Sequence, residues 1–347
     1  MKVIEVNDVN QAFPEGIQYL SKEGVFRSSR NGDVIVSREP VCTVYKTPGN
    51  RVLFNRTRDA NPFFHLYESI WMMAGRRDVQ SVANFVGNMK NYSDDGIIFH
   101  AAYGHRWRNK FTVIKQNLED FKDGAPAASP TDQLTLIAEL LRKNPTDRRC
   151  VLQIWDSELD LGKDSKDIPC NLTVHFQLNT ENKLDMTVFN RSNDIIWGCY
   201  GANAVHFSVL HEWMSYKTGH PLGIYRQISD NYHAYLEVFN KLKSEVKISD
   251  PYREEDLYIL PIDFELKECE KFISSIRPEK ISFINPEKTI GENFNSNFLN
   301  MAAIMCGAYF THKAGNTLKG LELLDALPQE LDWAKAGREW LWRRRGK

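Results

Sequence analysis

Cys170 is the residue of this chain whose type and neighbours point most directly to chemistry. It follows a proline, and it lies between a segment with Arg148 and Arg149 and a later segment with Arg191. The thiolate is the nucleophilic form of cysteine, and nearby cations lower the pKa of a thiol. The pattern therefore predicts a nucleophile in an anion-binding pocket. The alternative is a buried free cysteine that packs as a small hydrophobic side chain.

The arginines suit a phosphate group. Arg148 and Arg149 are adjacent, and each guanidinium offers a planar pair of donors that matches two phosphate oxygens. Arg191 and Ser192 add a guanidinium and a hydroxyl, and Arg30 supplies a further guanidinium. Together these side chains could hold a phosphate monoester dianion. An arginine pair on open surface would have no such role.

Four further polar residues could recognise a base and a sugar. Asp194 and Asn203 bracket a short segment rich in aromatic residues and glycine, where a carboxylate and an amide could read the polar edge of a flat heterocycle. The alternatives are a turn or cap role for Asp194 and a helix N-cap role for Asn203. His233 and Tyr235 point to one face of an extended segment, where they could hold a sugar hydroxyl. Either one alone is more often structural.

Glu68 is a candidate general acid or base. It lies on the apolar side of a predicted helix, with Phe64, Tyr67 and Trp71 at helical spacing. A carboxylate among aromatic side chains is costly unless it is paired or used in proton transfer. The alternative is a carboxylate on the solvated edge of that helix.

The hydrophobic pattern predicts the elements that must position these residues. Strands are predicted over residues 33–37, 41–45, 51–54, 149–155, 171–178 and 183–189, the last two as a hairpin. Helices are predicted over residues 62–75, 78–90, 131–144 and 202–218, and a loop over residues 103–107. The predicted fold class is α/β (α+β), with a catalytic domain over residues 1–265 and a mainly helical C-terminal extension over residues 266–347.

Composition excludes several functional classes. The chain has 347 residues and a net charge of -1, which argues against a nucleic-acid-binding or membrane-binding surface. Its six cysteines form no CxxC pair, so we expect neither a metal site nor a disulfide framework. No apolar run approaches the roughly twenty residues that span a bilayer. We therefore expect a cytoplasmic protein.

Taken in order, these segments resemble the thymidylate synthase family. The resemblance covers roughly residues 25–240, and its specificity lies in the ordered set. The matching segments are Arg30-Asn31-Gly32, Glu68-Ser69-Ile70-Trp71, Tyr103-Gly104-His105-Arg106-Trp107, Asp147-Arg148-Arg149, Pro169-Cys170, Asn190-Arg191-Ser192-Asn193-Asp194 and His233-Ala234-Tyr235. The family fold has a central mixed sheet with flanking helices.

The resemblance implies a chemical role for each of five residues. Cys170 would add to C6 of a pyrimidine nucleoside monophosphate and so make C5 nucleophilic toward 5,10-methylene-tetrahydrofolate, the one-carbon donor. Glu68 would organise proton transfers through water. His233 and Tyr235 would hold the ribose 3′-hydroxyl, and Asp194 would lie near the base and the cofactor.

The resemblance also implies an obligate homodimer with shared active sites. In this family the arginine pair crosses into the site of the partner subunit. Arg148 and Arg149 would therefore bind the phosphate in the partner's site. Arg30, Arg191 and Ser192 would bind the phosphate within their own chain.

This chain departs from the methyl-forming synthases at several positions. Asn171 follows the nucleophile where those enzymes usually have histidine, and the segment over residues 88–95 has no tryptophan. The asparagine that reads uracil usually stands twelfth, counting Arg191 as the first. Here Ala202 takes that place, and Asn203 comes next. These departures resemble the phage-type nucleotide hydroxymethylases, in which water rather than hydride completes the reaction.

The expected function is transfer of a one-carbon unit to C5 of dUMP, dCMP or CMP, with a 5-hydroxymethyl product. An enzyme of the phage type would act in the host cytoplasm. One alternative is a thymidylate synthase proper, which makes dTMP and releases dihydrofolate. A second alternative is a nucleotide- or RNA-binding relative without turnover. The choice between uracil and cytosine stays open at this stage.

Overall fold

A mixed sheet holds five of the eleven candidate residues in the computed structural model, which describes residues 1–114, 128–276 and 294–346. The strands are β1 (Lys2–Val6), β2 (Val25–Ser29), β3 (Gly32–Val36), β4 (Val41–Tyr45), β5 (Thr112–Ile114), β6 (Ala128–Pro130), β7 (Val151–Gln153), β8 (Asn171–Leu178), β9 (Leu184–Asp194) and β10 (Leu222–Tyr235). β5 and β6 pair separately, and the other eight described strands form one sheet.

The centre of the sheet brings three candidate segments side by side. The main order is β1-β4-β10-β9-β8-β7, and β3 also pairs with β10. β9 and β10 are parallel, and their register sets Ser192 beside Asn231 and Asp194 beside His233. β8 and β9 form the expected antiparallel hairpin. The ends of β9 and β10 and the start of β8 therefore meet at one edge of the sheet.

Helices cover the sheet, which confirms the predicted fold class. The main helices are α1 (Val9–Glu23), α2 (Pro62–Met73), α3 (Val79–Ala83), α4 (Tyr103–His105), α5 (Gln133–Lys143), α6 (Ser157–Asp160), α7 (Asn203–Thr218), α8 (Leu236–Leu242), α9 (Pro251–Glu254), α10 (Leu266–Ser275), α11 (Asn297–Lys313), α12 (Thr317–Leu324) and α13 (Asp332–Trp342). None of the described helices has the length and apolarity needed to cross a membrane.

The sequence explains where α2 begins and where α7 ends, and these two helices carry Glu68 and Asn203. Asn61 caps α2, because its side chain accepts the N–H of Phe64 (3.1 Å), and Pro62 suits the first helical position. α7 ends at Gly219, whose φ of 75° is the left-handed conformation that glycine adopts most easily. Both helices are almost entirely buried, as the predicted apolar pattern requires.

The C-terminal region is helical, as predicted, and it shares the hydrophobic core with α2. The ring of Phe63 on α2 lies 5.4 Å from that of Tyr309 on α11 and 5.7 Å from that of Trp340 on α13, measured between centroids. Residues 277–293 of the predicted extension lie outside the described residues. The division of the chain at residue 265 stays a prediction.

Three predicted elements differ from the structure. Residues 51–54 form no strand, because the N–H of Val52 donates to the Tyr252 hydroxyl and the N–H of Phe54 to the Asn10 side chain. Residues 103–107 are predicted as a loop, but the structure has two short helical turns there. They are α4 and a π-helical turn over Arg106–Lys110. The helix predicted over 78–90 divides into α3 and a 3₁₀ turn over Gly87–Tyr92.

Candidate active site

Cys170 lies immediately before β8 and is held against the end of β9. The hairpin continues here, since the N–H of Arg191 donates to the Cys170 carbonyl (3.0 Å). Arg191 also donates from Nε to the Pro169 carbonyl (2.9 Å), and its Nη2 lies 3.9 Å from the Cys170 sulfur. The N–H of Cys170 donates to the Tyr103 hydroxyl (3.2 Å). The thiol therefore sits half-buried beside one guanidinium.

The pKa of the Cys170 thiol shifts in the direction opposite to the expected one. Burial raises the pKa of Cys170, and the charges of Asp167 and Asp194 raise it further. The Arg191 guanidinium lowers it but does not offset burial. The prediction of a lowered thiol pKa is therefore wrong for the single chain, because burial outweighs the effect of the one guanidinium beside the sulfur.

A cavity of about 440 Å³ gathers the residues expected to bind phosphate and sugar. This smaller cavity lies at the edge where β9 and β10 end, and its volume is in the range of small-ligand pockets. Its lining includes Arg30, Arg191, Ser192, His233 and Tyr235. Five candidate residues from three separate segments thus surround one space.

A larger cavity of about 1140 Å³ adjoins the smaller one, because Arg30 and Tyr235 line both. Trp197, Val238 and Tyr92 contribute apolar surface to it. The Arg58 guanidinium stacks on the Trp197 ring at 4.1 Å from its centroid. The larger cavity therefore offers aromatic surface next to the cationic one.

Arg148 and Arg149 do not reach Cys170 within the chain. They are exposed on the segment between α5 and β7, where they line a surface depression with Thr146. Arg149 forms an ion pair with Asp147 (2.6 Å), and its side chain is 79% exposed. Neither arginine is among the residues that line the smaller cavity, and both are exposed to solvent.

Glu68 is buried on α2, which excludes the alternative of a solvated helix edge. Its Oε2 lies 3.1 Å from Nε2 of His206, a buried residue on α7. Sequence reasoning did not single out His206, because the contact depends on how α2 and α7 pack. A buried carboxylate next to an imidazole can exchange or hold a proton.

Asn203 belongs to a buried row of side-chain amides, here called the amide relay (Asn171, Asn203, Asn193 and Gln227). Nδ2 of Asn203 donates to Oδ1 of Asn193 (3.1 Å), and Nδ2 of Asn193 donates to Oε1 of Gln227 (2.7 Å). Nδ2 of Asn171 approaches Oδ1 of Asn203 at 3.5 Å. The relay joins Asn171, the neighbour of Cys170, to β10.

The Cys199 carbonyl fixes the orientation of the amide relay. Nε2 of Gln227 donates to this carbonyl (3.1 Å), which can only accept. Gln227 must therefore turn its oxygen toward Asn193, and Asn193 must turn its oxygen toward Asn203. A flipped Asn203 would set oxygen against oxygen and leave buried groups unpaired, which is costly.

A helical irregularity precedes Asn203. A π-helical segment runs over Ile195–Ala202, and the N–H of Asn203 donates to the Gly198 carbonyl, five residues back. A π turn holds one residue more than an α turn. The N-cap alternative for Asn203 is wrong, because Asn203 is the first residue of α7 and its side chain bonds to Asn193 instead.

Asp194 begins the π-helical segment. Its Oδ1 accepts the N–H groups of Ile196 (2.8 Å) and Trp197 (2.7 Å), so the cap alternative for Asp194 is confirmed. Burial raises the pKa of the Asp194 carboxyl, while the Trp197 N–H and the charge of His233 oppose that shift. The capping role and a role near a ligand are compatible, because His233 lines the smaller cavity.

Sequence reasoning also missed the Tyr103 hydroxyl, Gln227 and Arg58. Tyr103 lies in one of the segments that carry the family resemblance, but no role was predicted for its hydroxyl. Gln227 carries a detectable signal, since a fully buried polar side chain in a central strand must find partners. Arg58 donates from Nε to the Ile196 carbonyl (2.8 Å), a contact that no spacing in the sequence indicates. No cluster of metal-ligating side chains occurs in the described ranges.

Comparison with known proteins identifies several similar sequences. The family model described as thymidylate synthase matches residues 11–285. A deoxyuridylate hydroxymethyltransferase of Pseudomonas phage M6 is 44% identical over 364 residues, which covers 99% of this chain and 95% of the relative. A protein of the same name from Bacillus phage SP01 is 37% identical and covers 65% of this chain and 57% of the relative. A putative thymidylate synthase of Methanosarcina barkeri is 30% identical over 33% of this chain and 52% of the relative.

Proposed function

Because the chain belongs to the thymidylate synthase family, we propose that it is a deoxyuridylate hydroxymethyltransferase. It would move a one-carbon unit from 5,10-methylene-tetrahydrofolate to C5 of dUMP, and water would complete a 5-hydroxymethyl product. The observation that carries this proposal is the similarity, along nearly the whole chain, to the phage M6 enzyme of that name. The phage relatives also support action in the cytoplasm of an infected host.

The smaller cavity supports a role in nucleotide binding. Arg30 and Arg191 would pair with the phosphate dianion, and Ser192 would donate a hydroxyl hydrogen bond. His233 and Tyr235, which line the same cavity, would hold the ribose hydroxyl. A phosphate held here would set the base near the start of β8, next to Cys170.

Cys170 would act as the nucleophile toward C6 of the base. Its thiol must lose a proton first, and the Arg191 guanidinium near the sulfur favours the thiolate. Addition at C6 moves charge to C5 and O4, which raises the nucleophilicity of C5. A donor fixed near O4 stabilises that charge, and Asn203 is the proposed donor.

The amide relay supports uracil as the base. With its orientation fixed, Asn203 offers a free N–H and a free oxygen lone pair that together match O4 and N3–H of uracil. The π turn before Asn203 holds an additional residue, which accounts for the shift from position 202 to position 203. We therefore assign to Asn203 the base-reading role that a simple residue count gives to Ala202.

We propose that the larger cavity receives the folate cofactor. Its volume and its aromatic lining suit a flat pteridine with an extended tail, and it adjoins the smaller cavity. Trp197 and Val238 would contact the ring system, and Asp194 would lie between cofactor and base. The cofactor, when bound, supplies the one-carbon unit at the oxidation level of formaldehyde.

Incubation with 5,10-methylene-tetrahydrofolate and each of dUMP, dCMP, UMP and CMP tests the proposed function. We expect dUMP to be converted to a product heavier by one CH2O unit, measured by mass spectrometry. A product heavier by one CH2 unit would identify a thymidylate synthase proper. Conversion of dCMP in preference to dUMP would overturn the assignment of Asn203 as a uracil reader.

We propose that the enzyme is a homodimer in which Arg148 and Arg149 serve the partner's site. Their exposure and their absence from the smaller cavity's lining support this arrangement. Mixed Arg149→Ala and Cys170→Ser chains should then regain activity, because each heterodimer contains one intact site. Random exchange of equal amounts should restore up to about a quarter of the wild-type rate. Each variant alone is the control, and a mixture no more active than its components would contradict shared sites.

Gln227→Met should weaken the discrimination between dUMP and dCMP. The substitution removes the hydrogen bonds of Gln227 to Asn193 and to the Cys199 carbonyl. The side-chain amide of Asn193, and then that of Asn203, can therefore flip its nitrogen and oxygen at little cost in free energy. We expect the ratio of kcat/KM for dUMP to that for dCMP to fall about tenfold, the worth of about one hydrogen bond. Gln177→Met on the exposed side of β8 is the matched control. An unchanged ratio would show that the relay does not set base choice.

A further inference from the structure

We propose that His206 positions Glu68 as the base that takes a proton from the attacking water. This inference rests on the proposed function, because only a hydroxymethyl product needs a water addition step. His206 lies on α7, outside the segments that carry the family resemblance. The structure points to it through its burial and its contact with Glu68.

His206 is a buried polar residue whose ring nitrogen lies against a candidate catalytic residue. It is 2% exposed, and its Nε2 makes no hydrogen bond of normal geometry among the described residues. That same nitrogen lies 3.1 Å from Oε2 of Glu68. A small rotation of either side chain completes the hydrogen bond, and an unpaired buried nitrogen favours that rotation.

His206 lies on the part of α7 that is connected to the segment around Cys170. It stands one helical turn after Asn203 on α7, so both side chains lie on the same side of that helix. Asn203 contacts Asn171, the residue next to Cys170. The helix side that carries His206 therefore faces the end of the sheet where the base would lie.

A second contact supports the same placement. Phe207, the next residue of α7, packs against Tyr103 with 6.2 Å between ring centroids. The Tyr103 hydroxyl accepts the N–H of Cys170. The first turns of α7 are thus joined to the Cys170 segment through both the amide relay and this aromatic pair.

The water step is balanced without an oxidant or a reductant. The water oxygen forms a bond to the exocyclic methylene carbon on C5, and the C=C electron pair moves to O4 as an enolate. The proton lost by water goes to Oε1 of Glu68. The enolate then collapses and breaks the bond from C6 to sulfur, whose electron pair leaves with the Cys170 thiolate.

His206 contributes to this step through Glu68 alone. When Nε2–H of His206 donates to Oε2, the carboxylate cannot rotate freely, and Oε1 stays directed toward the water. His206 is therefore a positioning residue. Its loss should slow water addition more than it slows the earlier release of the C5 hydrogen.

The test compares two signals from dUMP labelled with tritium at C5. Tritium release reports the steps before water addition, and 5-hydroxymethyl-dUMP reports water addition itself. In the wild type the two should be equal. In His206→Leu we expect the product to fall about tenfold or more below the tritium released, since a misdirected base loses much of its effect. Added 2-mercaptoethanol should then trap the excess as a thioether.

Two further variants separate positioning from general damage. His206→Gln keeps a donor at the same place and should restore part of the product. His211→Leu removes another buried histidine of α7, whose Nε2 bonds to the Leu184 carbonyl (2.6 Å), and should keep the two signals equal. Equal signals in His206→Leu would overturn the proposal.

A measurement without substrate covers the case in which His206→Leu does not fold. The ring ¹⁵N shifts of His206 in the ligand-free chain should move in Glu68→Gln, because the donor loses a charged acceptor. Unmoved shifts would overturn the proposed pairing. Formation of dTMP by the wild-type enzyme would instead contradict the proposed hydroxymethyltransferase function. Failure of that function and failure of the His206 proposal therefore give different results.

Discussion

Cys170→Ser should lower product formation from dUMP by about 10⁴-fold or more, because a serine hydroxyl does not ionise near neutral pH and cannot replace a thiolate. Affinity for dUMP should change little, since the smaller cavity is lined by other side chains. Both quantities can be measured on one preparation, product by mass spectrometry and affinity by calorimetry.

A matched substitution separates this loss from the loss of any buried thiol. Cys42→Ser changes a buried cysteine of β4 and should retain most activity. Residual turnover of Cys170→Ser within about tenfold of the wild type would remove Cys170 as the nucleophile. Full activity would also remove the covalent mechanism. Binding without turnover in the wild type would support the non-catalytic alternative.

Glu68→Gln should reduce turnover by about 10²-fold to 10⁴-fold, the range for loss of a general acid or base. Glutamine keeps the shape of the side chain but cannot accept a proton. The effect should therefore appear in kcat rather than in the affinity for dUMP. A steady-state comparison of kcat and KM checks this expectation.

Glu68→Asp is the matched variant for this prediction. It keeps the carboxylate but shortens its reach toward His206 and the water. We expect its kcat to lie between those of the wild type and Glu68→Gln. A Glu68→Gln enzyme with wild-type kcat would contradict any proton-transfer role for Glu68.

The strongest local patterns predicted the corresponding elements well. α2, α7 and the β8–β9 hairpin agree with prediction because each has a long apolar or alternating pattern with clear end signals. The strand expected over residues 51–54 does not form, because its N–H groups bond to Tyr252 and Asn10, which are distant in sequence. A local pattern cannot show such a partner.

The candidate site was predictable only in part. The ordered motifs indicated Arg30, Arg191, Ser192, His233 and Tyr235, which line one cavity. The pairing of Glu68 with a histidine was not predictable, because it depends on the packing of two helices. The direction of the Cys170 pKa shift was missed for a similar reason, since burial is a property of the fold.

Asn203 illustrates a limit of residue counting. Counting from Arg191 assigns the base-reading position to Ala202, which cannot form a side-chain hydrogen bond. The π turn over Ile195–Ala202 adds one residue before α7, and the amide of Asn203 joins the relay instead. Under the proposed function, this irregularity would move the base-reading asparagine by one position.

The oxidation state of the folate released with the pyrimidine product tests the central claim most directly. Wild-type enzyme, dUMP and 5,10-methylene-tetrahydrofolate should yield tetrahydrofolate, because water supplies the final group and no hydride leaves the folate. The two folates can be separated by chromatography and quantified against the pyrimidine product. Release of dihydrofolate in an amount equal to that product would contradict the proposed water step and would indicate thymidylate synthesis.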